Sequence, residues 1–294
     1  MMINKQVFGK GEAALIDRKK EIFPPAITAT SQAQAEAFHR YHDAYLGEYF
    51  YILRKIFHTF AFDMKEFAVD FYEVPVEVFV RALTWLTYVQ TIIYEMDVNT
   101  EQEGAGSNQR SAMDLAQVGQ NIVSFLREHD LLDDDIERCV NEVVEYLLKE
   151  QSELHGKSDF TRDEIFKMLD LKSADLEMLR RILMRVCSIP VNDEEMRIFK
   201  LIDKIREVFD DIRDYEEDKE IANFNTVIFL RKLGGDVQRG TDMLREFVSS
   251  EMRQVHQWIA ELDKERAAKL SAIYSRLEEE QGYFLAELDK LPAG

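Results

Sequence analysis

The chain has 294 residues, 46% of them hydrophobic and 32% charged, with only 12 Gly and 5 Pro. So few turn residues exclude β-sandwiches, barrels and disordered repeats, and the length is enough for one large domain with a sizeable core. With 56 Asp+Glu against 37 Lys+Arg the net charge is −19, which repels nucleic acid and anionic membrane; an anionic ligand would need a cation to mediate its binding.

Hydrophobic periodicity is helical along nearly the whole chain. After a polar start and the break at Pro24-Pro25, Ser31 and Gln32 open a helix that carries aromatic and aliphatic residues at three- and four-residue steps to about Phe60. Pro75 suits the first turn of a long helix over 76–103, because its missing N–H is not needed there. A Gly- and Asn-bearing loop follows, then helices at about 111–128 and 133–154, and Gly156 interrupts. Asp159 and Thr161 are caps for a short segment, and another helix covers 172–187. Pro190 and Asn192-Asp193 separate it from an acidic helix that runs to Glu220.

A shorter apolar piece, 224–233, stops at Gly234-Gly235. From Asp236 onward the chain reads as long and amphipathic, with a stripe at Leu244, Val248, Val255, Ile259, Leu262, Leu270, Ile273 and Leu277. None of the breaks resembles a linker between domains. The expectation is a single all-α domain over 1–294, a bundle of about ten helices, with 1–25 as a looser N-terminal segment. Cys139 and Cys187 lie inside apolar patterns at no metal-ligand spacing and read as core thiols of a reducing compartment. The N-terminal stretch has no apolar run of signal-peptide length. The most apolar span, Val76 to Met96, carries Glu77, Arg81, Gln90 and Glu95 and is too polar for a transmembrane segment. A cytoplasmic protein is expected.

Between Asp203 and Glu220 there are nine acids: Asp203, Glu207, Asp210, Asp211, Asp214, Glu216, Glu217, Asp218 and Glu220. Asp210, Asp214 and Asp218 stand at i, i+4 and i+8, one turn apart on one helix face. Like charges at this spacing destabilise a helix by a few tenths of a kcal/mol per pair, and Asp is a weak helix former. A divalent cation removes the conflict: Mg²⁺ is hard, prefers oxygen, and is held by one or two carboxylates together with substrate phosphates. The bland reading is a solvated acidic face eased by Lys204, Arg206, Arg213 and Lys219.

These residues carry a resemblance. The stretch 172–219 resembles the second half of class I isoprenoid synthases, the superfamily of trans-prenyltransferases and terpene synthases. Lys172-Ser173-Ala174-Asp175-Leu176 is similar to their Lys-Thr-x-x-Leu element, and Asp210-Asp211-Ile212-Arg213-Asp214 to their second Asp-Asp-x-x-Asp motif. Asp210, Asp214 and Asp218 also match the three metal positions of the terpene synthase Asn/Ser/Glu triad. Squalene and phytoene synthases have a similar acidic helix.

The resemblance implies an all-α bundle around a central cavity. It implies Mg²⁺, three ions with bound diphosphate, and an allylic isoprenoid diphosphate as substrate, for prenyl chain elongation or single-substrate terpene synthesis. Asp210, Asp214 and Lys172 would be catalytic, and Asp97, Glu101, Asp210, Asp211, Asp214 and Asp218 would bind metal. Lys172, Arg213, Lys219 and Arg231, or Lys232 beside it, would meet the diphosphate. Phe50, Phe57, Trp85, Tyr88, Gln90 and Thr91 would line the pocket, and relatives are commonly homodimers. The chain departs from the pattern in its first acidic motif, where Glu95, Asp97 and Glu101 stand in for Asp-Asp-x-x-Asp. It also lacks the Arg-Arg-Gly and Gly-Lys-Arg elements that bind isopentenyl diphosphate in chain-elongating relatives.

Two other classes compete. A di-iron carboxylate bundle needs two Glu-x-x-His elements, and only Glu36-Ala37-Phe38-His39 has that form. A non-catalytic helical scaffold, or a degenerate family member, accounts for the irregular first motif but not for aspartate at all three positions of the second.

Overall fold

The computed structural model describes residues 52–103, 112–154, 160–221 and 223–292, with the side chains of 95–103, 112–114, 152–154 and 221 outside that description. All of these residues belong to one compact unit, Tyr51–Gly294. Among them there are eleven helices and no strand.

The first helix, α1 (52–71), starts as α-helix and widens into π-helix over Phe60–Met64 and Glu66–Phe71. The wider coil buries Phe60, Met64, Phe67, Ala68 and Phe71. Asp63 and Glu66 on the same stretch both reach Arg206. Glu73, Asp130 and Ser188, the non-glycine residues with positive φ, each lie just past a helix end, where the left-handed conformation closes the last turn.

Next come α2 (Val76–Glu103), α3 (Ala112–Glu128) and α4 (Asp134–Leu154). α5 (Arg162–Lys172) opens with a capping box in which Thr161 and Glu164 satisfy each other's backbone N–H groups. Ser173 interrupts the helix expected over 172–187, so that Lys172 ends α5 and α6 (Ala174–Val186) starts afresh. The α7 helix (Asp193–Arg213) is capped by Asn192 and buries Ile198, Phe199, Ile202, Ile205, Val208, Phe209 and Ile212. It occupies the middle of the bundle, packed by α5, α6 and four later helices.

The acidic helix expected to run unbroken to Glu220 ends at Arg213. Asp214 is its C-cap, and a short α8 (Tyr215–Ile221) follows. Then come α9 (Thr226–Gly234), α10 (Val237–Glu261) and α11 (Lys264–Leu288). The amphipathic stretch after Asp236 is therefore two helices. The chain leaves α10 at Leu262, and the Asp263 carboxylate starts α11 by accepting from Glu265 and Arg266 N–H. The stripe divides accordingly, with Leu244, Val248, Val255 and Ile259 buried from α10 and Leu270, Ile273 and Leu277 from α11.

Within α2, Val76–Tyr94 is long and apolar enough to cross a membrane by length and composition. Its Ala82, Leu86, Val89 and Ile93 lie in the core and Gln90 is fully buried. That is the pattern of a helix whose inner edge packs against protein. Cys139 is buried and Cys187 half-buried, and neither forms a disulfide; burial pushes the Cys139 thiol up to about 12, which keeps it protonated and inert.

Candidate metal and phosphate site

Three pieces of chain meet at the C-terminal end of α7: the α5–α6 junction, the α7–α8 junction and the start of α9. Lys172, last residue of α5, extends Nζ to Asp211 Oδ1 at 2.8 Å and Glu207 Oε2 at 3.0 Å. Asp211 is almost fully buried, and its other oxygen accepts from Thr226 N–H at 2.8 Å. Both carboxylate oxygens of Asp211 are thus engaged inside the protein, and Lys172 is held by two acids.

The break at Asp214 does not dissolve the ladder. Asp214 N–H donates to Asp210 C=O at 2.8 Å and Asp218 N–H to Asp214 C=O at 2.9 Å, so the three aspartates stay one turn apart across it. Asp210 and Asp214 are each nearly half exposed, and Arg213 between them pairs with both, at 2.8 and 3.1 Å. Asp218 is half-buried and accepts from Asn225 Nδ2 at 2.8 Å.

Among the described residues, charge at this end is unbalanced. Glu207, Asp210, Asp211, Asp214 and Asp218 face Lys172 and Arg213. Burial, with Asp210 and Asp211 adding repulsion against the attraction of Lys172, pushes the Glu207 carboxyl up to about 7. Asp210, although its side chain is nearly half exposed, is raised by partial desolvation and by Asp214 and Asp211, despite Arg213. Asp218 rises to about 6, chiefly by burial. Lys172 is raised as well: against the cost of burial, Asp211 and Glu207 hold its ammonium charged.

On the α2 side, Gln90 Nε2 donates to Asp175 Oδ2 at 3.1 Å, and Asp175 Oδ1 accepts from Leu176 N–H at 2.7 Å. Tyr94 Oη lies 3.2 Å from Thr59 Oγ1. Burial, relieved only in part by the Gln90 bond, pushes Asp175 up to about 7. Gln90 is therefore the expected pocket residue that reaches this region. Thr91 bonds back to Thr87 C=O within its own helix at 2.7 Å. Trp85 and Tyr88 face α3, with Trp85 4.7 Å from the His129 ring and Tyr88 4.0 Å from Phe125. Phe57 is 67% exposed, and Phe50 lies outside the described residues.

The other expected phosphate partners divide. Lys219 is exposed on α8, its Nζ 5.9 Å from the Tyr215 ring. Arg231 is buried and committed elsewhere, donating to Pro292 C=O at 3.0 Å and Leu288 C=O at 3.5 Å at the end of α11. Asp97, Glu101 and Glu95 fall in the last turns of α2, whose side chains lie outside the described residues, as do Glu36 and His39 of the iron alternative.

Sequence reasoning missed Asn225 and Thr226, which the structure brings to Asp211 and Asp218. The available signal was an Asn-Thr pair opening an apolar helix just past an acidic run. Two surface depressions, of about 320 and 420 Å³, lie at Asp130–Arg185 and between Phe166 and Phe247, and include none of the ladder residues.

The donor set of the ladder is all carboxylate oxygen, which suits a hard divalent ion. Among the described residues, three potential ligand atoms come within 4.8 Å of one another at Cys139, Glu142 and Glu177. That group is an ion-pair network rather than a metal site. Glu177 accepts from Arg138, Arg181 and Lys200, and despite burial these cations hold it down at about 2. The ladder carboxylates do not converge so closely. They present a single wall of carboxylate oxygens. No protein-family model, curated protein or solved structure matches this chain.

Proposed function

We propose that the protein is a Mg²⁺-dependent class I isoprenoid synthase acting on an allylic isoprenoid diphosphate. The observation that carries this reading is the charge deficit at the C-terminal end of α7, where five acids stand against Lys172 and Arg213 and three of the acids are raised by burial and mutual repulsion. A site designed for stability alone would alternate the signs. In this reading Asp210, Asp214 and Asp218 hold the metal, and Asp97 and Glu101 supply the facing donors. Bound Mg²⁺ supplies Lewis-acid stabilisation of the negative charge that grows on a departing diphosphate.

The chain's own residues do the rest. Asp211 orients Lys172 from within and is not itself free to bind. Arg213 and Lys219, the cations nearest solvent, draw in and orient phosphate oxygens. Arg231 is left out of the phosphate set, because its guanidinium closes the end of α11.

The test is incubation with geranyl, farnesyl and geranylgeranyl diphosphates in Mg²⁺, each with and without isopentenyl diphosphate, followed by product analysis. Turnover is expected in the wild type. Asp214→Ala should lose at least a hundredfold while keeping its helical circular dichroism, since the ion that this carboxylate would help to hold is worth several kcal/mol of transition-state charge stabilisation. Full activity in that variant would remove the ladder from the mechanism. Elongation that needs the second diphosphate assigns prenyl transfer, and a hydrocarbon or alcohol from one substrate assigns terpene synthesis.

A further inference from the structure

We propose that Asn225 is a positioning residue for the metal site, setting Asp218 and the α7–α8 junction through its amide nitrogen while its amide oxygen starts α9; this rests on the metal reading above. Asn225 is fully buried. Its Nδ2 donates to Asp211 C=O at 2.7 Å and to Asp218 Oδ2 at 2.8 Å. Its Oδ1 accepts from Val227 N–H at 3.0 Å and Ile228 N–H at 3.3 Å. The assignment of the two ends is forced: a carbonyl and a carboxylate require a donor, and two backbone N–H groups require an acceptor. All four hydrogen-bonding positions of the amide are filled.

The consequence is local geometry that α7 alone does not provide. At the end of a helix the last carbonyls lack partners, and Asn225 takes up that of Asp211. The neighbouring Thr226 N–H takes the Asp211 carboxylate. One dipeptide therefore fixes Asp211 at both its backbone and its side chain. From the same amide nitrogen it fixes Asp218 seven residues further on. Asp218 Oδ2 is spent on Asn225, which leaves Oδ1 as the oxygen available to an ion. Groups that orient a ligand in this way typically contribute ten- to a hundredfold to metal affinity.

Capping and positioning separate by substitution. Asn225→Ser keeps an N-cap oxygen for α9 but lacks the nitrogen. Asn225→Asp keeps shape and cap and places a carboxylate against Asp218. Asn192→Ser is the control: Asn192 caps α7 with the same pair of bonds, to Glu194 and Glu195 N–H, away from the site.

The measurement is Mn²⁺ binding in the presence of inorganic pyrophosphate, read by electron paramagnetic resonance on the full chain. Asn225→Ser and Asn225→Asp should each weaken Mn²⁺ by about ten- to a hundredfold, and Asn192→Ser should bind as the wild type does. Circular dichroism and melting curves establish folding; should the Ser variant unfold, the isosteric Asp variant decides. Folded Asn225 variants with wild-type affinity overturn the proposal and leave the metal reading standing. A wild type that binds no Mn²⁺ overturns the metal reading, and this inference with it.

Discussion

Asp203, Glu207 and Asp211 recur every fourth residue on α7 and face inward, so the acidic stretch contains a second ladder besides Asp210, Asp214 and Asp218. Each inner acid has been given a cation. Arg180 pairs with Asp203 in full burial, one bond being 2.8 Å, with its guanidinium over the Phe67 and Phe199 rings at 5.4 and 5.0 Å. Lys172 serves Glu207 and Asp211. Among the described residues Asp175 has no cation, only Gln90 and a backbone N–H, and this leads to a pH prediction. Its carboxyl is raised from 3.8 to about 7 by burial, so the folded chain binds the proton more tightly than the unfolded one. The contribution of Asp175 to stability is therefore full below about pH 4 and is lost as pH rises towards 7. Asp175→Asn removes that loss, and Gln90, whose Oε1 has no hydrogen-bond partner among the described residues, can turn its amide to accept from the new one. The variant should match the wild type at pH 4 and exceed it by about 1–3 kcal/mol at pH 8, measured by urea unfolding at both values; a constant difference across pH would show that Asp175 does not titrate in this range. The i, i+4 spacing of the outer acids was legible in the sequence. Which acids point inward was not, because that depends on Arg180 and Lys172, contributed by two other helices.

At the scale of elements, the site depends on how α9 is seated, because α9 carries Asn225 and Thr226. Its far end is fixed by close backbone contact with α10. A Cβ added at Gly240 would lie 2.5 Å from Arg231 Cα and 2.7 Å from Leu230 C=O, and one at Gly234 would lie 2.8 Å from Gly240 N. Neither neighbour is a flexible side-chain end, so backbone must move. Gly240→Ala should cost about 1–3 kcal/mol, read as a lowered Tm; a variant as stable as the wild type would mean that the two helices can slide apart freely. The sequence marked Gly234-Gly235 as a stop, and Gly235 is indeed the left-handed cap of α9 at φ 76. Gly240 gave no sign of its role, since its reason is a neighbour across a turn. The breaks at Asp214 and Leu262 were illegible for a related reason. No Gly or Pro marks them; the first is held by Asn225 from another element, and the second by the Asp263 cap. Helix type and approximate extent followed from periodicity alone, whereas the π-helical winding of α1 depends on what its aromatic residues and Asp63 find in the core.

At the scale of the whole molecule, the net charge of −19 makes two different predictions for added Mg²⁺. As a screening ion it eases general repulsion, and any salt of equal ionic strength does the same, because exposed charges more than about 10 Å apart are screened without regard to ion identity. As a ligand of the acidic ladder it binds the folded chain alone and stabilises it by mass action, about 2.7 kcal/mol at a hundred times its dissociation constant. For a chain of this size that is a rise of several degrees in Tm. The expected result is a larger rise in Mg²⁺ with pyrophosphate than in NaCl at matched ionic strength, the excess being absent from Asp214→Ala and Asp218→Ala. Those two variants change the net charge by only one, so screening predicts almost no difference between them and the wild type, whereas site binding predicts loss of the whole excess. Equal rises in the two salts would reduce the ladder to a solvated acidic face, and with it the case for a diphosphate substrate.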